Sequence, residues 1–99
     1  MTRVRFDRKD IVNGLMIQGH QDGEKGKDIY CAGISAIAST LINGIMAEDL
    51  MDKPNVRVKD GFALVTCMRT PRTDAMFDMA EAGLRAMAAK WPDRVTIEK

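Results

Sequence analysis

Ile34, Ile37, Ala38, Leu41, Ile42 and Ile45 recur at i, i+3 and i+4 spacing, and this stripe constrains the fold more than any other feature of the chain. A helix over residues 29–51 with one apolar face must bury that face against a second layer. Asp28 stands where an N-cap belongs, and Lys53-Pro54-Asn55 is expected to end the helix. Phe77, Ala80, Leu84, Met87, Ala88 and Trp91 form a second stripe, which reads as core rather than as a cofactor box. Thr70-Pro71-Arg72-Thr73-Asp74 precedes it and offers Thr73 as its N-cap, and Pro92-Asp93 stops it.

The remaining segments read as strands. Val4 and Phe6 alternate with charged Arg5 and Asp7, as in a half-buried strand. Arg8-Lys9-Asp10 is a turn, and Ile11 to Gln18 is a second strand. Asn13-Gly14 could itself be a hairpin turn, but that leaves only Leu15 to Gln18 before the next loop. A bulge or irregularity at Asn13-Gly14 is the preferred reading. Val56 to Lys59, Asp60-Gly61 and Phe62 to Arg69 form a hairpin, and Val95 to Ile97 a short last strand. The order ββαββαβ predicts an α+β fold with a mostly antiparallel sheet and two helices. A length of 99 residues, with 45% hydrophobic, suits a single domain over residues 1–99.

Charge and composition exclude several function classes. The net charge is +1 and the basic and acidic residues are interspersed, so there is no electrostatic footprint for nucleic acid. No apolar run approaches the roughly 18 residues of a membrane span, and the N-terminus lacks the apolar core of a signal peptide. One His and two distant Cys fall short of a closed zinc set, and no phosphate-binding glycine pattern is present. Two cysteines make no disulfide framework, which suits a reducing, cytoplasmic setting. Cys67, inside the run Phe62 to Met68, reads as a structural strand cysteine.

Residues 19–36 are what the fold alone does not explain. His20, the only histidine, and Cys31 bracket a Gly- and charge-rich loop containing Gly23 and Gly26. The thiolate is the reactive form of cysteine, and the unpaired N–H groups of a helix start favour an anion there. A base and a thiol at the two ends of one loop are the minimum parts of a cysteine nucleophile site. They stand eleven positions apart, a span that closes at little entropic cost. Asp28 can cap the helix or orient His20, and Ser35, one turn beyond Cys31, can donate to the thiolate or hold substrate backbone.

Gly19-His20, Gly26 and Asp28-Ile29-Tyr30-Cys31-Ala32-Gly33-Ile34-Ser35-Ala36 resemble the pattern of the ribosomal-processing cysteine protease (Prp) family. Asn43-Gly44 and the Trp91-Pro92 helix ending also fit it, so the resemblance covers nearly the whole chain. It implies a cytoplasmic endopeptidase that trims an N-terminal extension from a large-ribosomal-subunit protein precursor, or cuts a phage protein bearing a similar motif. It further implies His20 as general base, Cys31 as nucleophile, and Gly19, Gly26, Asp28 and Ser35 in supporting positions. A homodimer without metal or cofactor is expected. Gln21 and Tyr30 depart from the family pattern beside the site and bear on substrate preference. Two other readings share these residues: a thiol acyl hydrolase or transferase that cuts no peptide, and a peptide- or ribosome-binding module without chemistry.

Overall fold

The computed structural model describes residues 1–19 and 29–98. The elements are β1 (Thr2–Asp7), β2 (Val12–Gln18), α1 (Ile29–Met46), β3 (Asn55–Lys59), β4 (Phe62–Met68), α2 (Pro71–Lys90) and β5 (Val95–Glu98). This is the expected ββαββαβ order, and the fold is α+β. One five-stranded sheet runs β3-β4-β2-β1-β5, antiparallel throughout except for the parallel β1–β5 pair.

Strand alternation puts one residue in two on each face. Val56, Val65, Leu15 and Phe6 form one cross-strand row, and Ala63, Ile17, Val4 and Ile97 the next. This face carries the buried strand residues Val4, Leu15, Ile17, Val65, Cys67 and Val95. Both helices cover it, α1 over β4 and α2 over β2 and β5. Ile34, Ala38, Leu41 and Ile45 of α1 and Phe77, Ala80 and Leu84 of α2 complete the core. The opposite face, with Arg3, Arg5, Met16 and Leu64, is exposed or half-buried.

Asn13-Gly14 is neither turn nor bulge. Both residues pair in unbroken register, Asn13 opposite Cys67 and Gly14 opposite Thr66 and Asp7. Asn13 points into the core because its amide is fully bonded: Arg8 Nε donates to Oδ1 (2.9 Å), and Nδ2 donates to Asp74 Oδ1 (2.8 Å). Gly14 is needed for space, since a Cβ there would lie 3.3 Å from both the Asp7 carbonyl oxygen and Thr66 Cγ2. The signal that suggested an irregularity comes from side-chain packing.

Two helix boundaries also differ from expectation. α1 ends at Met46 rather than near Met51, because Ile45 is its last core contact. Beyond it the backbone tightens to a Glu48 N–H to Ile45 carbonyl bond of 3.1 Å, and Met51 is 92% exposed. Arg72 then grips Glu48 through two bonds of 2.7 and 3.0 Å, tying this loop to the start of α2. The N-cap of α2 is Thr70, with Pro71 at the first helical position. Thr73 closes a capping box: Thr70 Oγ1 accepts from Thr73 N–H (3.0 Å), and Thr73 Oγ1 accepts from Thr70 N–H (2.8 Å).

Asp74 joins this corner to the sheet by accepting from Asn13 and from Arg69 Nε (3.0 Å) and Nη2 (3.2 Å). The Arg69 hydrogen bonds, then that of Asn13, hold its carboxyl below the usual carboxylate range. A depressed folded-state value stabilises the fold fully above the ordinary carboxylate range, and the contribution is lost as pH falls through the lowered value. Asp74→Asn should therefore lower the melting temperature at pH 7, with the gap to the parent narrowing as the pH is taken towards 3. A gap independent of pH in parallel melting curves would contradict this role.

Candidate active site

Helix direction decides where Cys31 lies. A Cβ at Gly33 would meet Met87 Cε at 2.9 Å, Ile37 Cδ1 lies 3.1 Å from the Cβ position of Gly83, and Gly44 faces Met76. Ascending residues of α1 thus meet descending residues of α2, and the two helices are antiparallel. α2 starts beside the end of β4 and leads back to Val95, which pairs with Thr2. α1 therefore begins at the end of the sheet where β2 finishes and the β3–β4 hairpin turns.

Cys31 is the third residue of α1 and is half-buried. Its first turn contains backbone N–H groups with no intrahelical acceptor, and none of the described residues of that turn is acidic. At about 100° per residue, Cys31 and Ser35 lie on the flank of α1 turned away from Gly33 and Ile37, and so away from α2. Ser35 is exposed, one turn beyond Cys31.

Gly19 sits at the same end of the molecule, immediately after β2. Its φ is +129°, and a Cβ on it would lie 2.2 Å from the Met1 carbonyl oxygen, so only glycine fits. Its N–H donates to the Gly61 carbonyl at 2.9 Å, joining the end of β2 to the hairpin turn. A hollow of about 420 Å³ opens beside this junction, lined by Gln18, Gly19, Lys59, Asp60, Gly61 and Phe62. The Asp60-Gly61 turn is evident from sequence, but its grip on Gly19 is not. That contact arises from the long-range β2–β4 register.

The structure thus brings Gly19, Cys31 and Ser35 to one end of the sheet. His20, Gly26 and Asp28 lie outside the described residues. The other cysteine is far from this end. Cys67 is buried on β4 opposite Asn13. Burial pushes its thiol up, a hydrogen bond with Thr73 opposes that, and the charge of Asp74 adds to it. A protonated, enclosed thiol is a poor nucleophile.

Comparison with known families bears on a thiol at a helix start. The family described as cysteine protease Prp matches residues 1–96. The chain belongs to this family, and it is a cysteine protease. No curated protein matches the sequence. Among solved structures, the chain is similar to the essential ribosomal processing protease Prp from S. aureus in complex with a covalently linked product peptide. That match has a TM-score of 0.84 at 21% identity, covering 99% of this chain and 98% of the other. The same S. aureus protease with a substrate peptide gives 0.78 at 20% identity, covering 99% and 98%. SMU.848 from Streptococcus mutans gives 0.74 at 24% identity, covering 99% and 92%. At these identities the structures establish a shared Prp fold.

The different settings of the two thiols make a direct prediction. Iodoacetamide should modify Cys31 in the folded protein and reach Cys67 only after denaturation, as read by site-resolved mass spectrometry. Modification of Cys67 in native buffer at the rate of Cys31 would contradict its enclosure.

Proposed function

We propose that the chain is an endopeptidase that removes an N-terminal extension from a large-ribosomal-subunit protein precursor, with Cys31 as nucleophile and His20 as general base. What carries this reading is Cys31 in the first turn of α1, level with the Gly19 end of β2, in a chain of the cysteine protease Prp family. The similar S. aureus protease is a ribosomal processing enzyme that takes a substrate peptide, which supports the same substrate class here. Gly19 fixes the chain one residue before His20 through its bond to Gly61. A cytoplasmic enzyme acting as a homodimer is part of the same proposal. No helix among the described residues is long and apolar enough to cross a membrane.

In this mechanism His20 takes the Cys31 thiol proton as Sγ attacks the scissile carbonyl carbon. The carbonyl oxygen becomes an oxyanion and is received by the free N–H groups at the start of α1. Collapse of the intermediate breaks the C–N bond, His20 returns its proton to the leaving amine, and an acyl group remains on Sγ. Water, deprotonated by His20, then releases the acyl group and restores the thiol. Ser35 steadies the substrate backbone one turn from the nucleophile. Gly26 and Asp28 support the loop and helix start.

Cys31→Ser should leave the melting temperature near that of the parent while lowering cleavage of the precursor by at least about a thousandfold. His20→Ala should move the alkylation rate of Cys31 to higher pH. Turnover retained by the serine variant would remove Cys31 as nucleophile, and an unchanged alkylation profile would remove His20 as its partner. An acyl adduct on Cys31 without peptide cleavage would favour a thiol transferase.

A further inference from the structure

We propose that the free edge of β3 holds the extended peptide substrate, through main-chain hydrogen bonds to Val56 and Val58. The inference rests on the reading of Cys31 as nucleophile and adds how the substrate backbone is gripped. It starts from the hydrogen-bond phase of the hairpin. The Gly61 carbonyl points towards β2, where it accepts from Gly19. Alternate residues of a strand direct their backbone groups to opposite sides, so Ala63 and Val65 also serve β2 while Phe62, Leu64 and Thr66 serve β3. Their partners on β3 are Lys59, Arg57 and Asn55. The N–H and C=O groups of the intervening Val56 and Val58 therefore face outward along the edge of the sheet.

Three further features make this edge a peptide site. β3 is the edge on the α1 side of the sheet, because α2 occupies the β5 side. Cys31 and Ser35 lie on the flank of α1 turned away from α2, hence towards β3. Val56 and Val58 project from the same sheet face that carries the helices, and Val58, nearest the Cys31 end, is 66% exposed. A peptide added as a sixth strand would satisfy the outward groups and run along the α1 side of the sheet towards the end at which Cys31 lies. A protease must reach a carbonyl in an extended backbone, and strand addition delivers that geometry with little dependence on side chains.

The test compares two reagents on the intact protein. In one, Cys31 Sγ displaces chloride from a tetra-alanine chloromethyl ketone, and in the other it displaces iodide from iodoacetamide. Val58→Pro deletes the outward N–H without touching the β3–β4 ladder, a position that edge strands tolerate. Its rate with the peptide ketone should fall roughly tenfold, as for one lost intermolecular hydrogen bond, with the iodoacetamide rate unchanged. Val58→Ala, which keeps the N–H, should retain both rates. In the parent protein the Val56 and Val58 amides should become protected from hydrogen exchange after labelling by the peptide ketone but not by iodoacetamide.

Labelling by both reagents without that protection, or a Val58→Pro rate equal to the parent, overturns the edge proposal and leaves the nucleophile reading intact. So does labelling by iodoacetamide alone. Protection already present before labelling, and lost on dilution, would assign the edge to a second copy of the chain and overturn the proposal. If neither reagent modifies Cys31, the nucleophile reading itself fails.

Discussion

Everything at the candidate site follows from both helices lying on one face of the sheet. With neither helix on the second face, α1 and α2 must share the apolar rows of β1, β2, β4 and β5, and they pack side by side. Short links from β4 to α2 and from α2 to β5 fix the direction of α2. Gly33, Ile37 and Gly44 against Met87, Gly83 and Met76 then fix α1 as its antiparallel neighbour. The first turn of α1 has one place to go, the end of the sheet at which β2 stops. A thiol three residues into that helix comes to the same end of the sheet as the finish of β2, among backbone N–H groups that have no intrahelical acceptor.

The opposite end of the sheet is held by polar contacts. Arg8, Asn13, Arg69 and Asp74 link the β1–β2 turn, the end of β4 and the first turn of α2. Asn13 is fully buried and Arg8 also reaches Glu81 at 3.4 Å, its guanidinium 5.9 Å from the centre of the Phe77 ring. Each buried polar group there has a partner, which is the condition for such a network to stabilise. The molecule thus has one end fastened by ion pairs and amides and another built from glycines, a turn and a helix start.

Much of this was readable in the chain because period and punctuation agreed. The helix stripes through Ile34 and Phe77, the Asp60-Gly61 turn and the alternation of Val4 and Phe6 each point to one local structure, and each forms. The expectations that changed did so where a residue serves a tertiary partner. Asn13-Gly14 carries the chemistry of a turn, yet Asn13 is claimed by Arg8 and Asp74, and Gly14 by its tight neighbours on β1 and β4. Thr73 is an eligible cap, but Pro71 and the reciprocal bonds with Thr70 move the cap three residues upstream. Leu50 extends the apolar pattern past Met46 while packing on the core from a loop. For the site, Cys31 at a helix start and Gly19 at a strand end were both evident locally. Their placement at one end of the sheet, and the bond from Gly19 to Gly61, depend on strand order and register that no local pattern encodes.

The separation of the two cysteines has a consequence for redox chemistry. Cys31 belongs to the end of the sheet marked by Gly61, whereas Cys67 lies six residues further along the extended β4 segment, about 20 Å away at strand rise. A disulfide needs α-carbons within roughly 7 Å, so this fold offers Cys31 no intramolecular thiol to resolve an oxidised sulfur. A sulfenic acid formed there must be recovered by a thiol from solution, or else it proceeds to forms that are not reversed. The redox state of Cys31 in the folded chain is in that sense tied to the thiol pool around it.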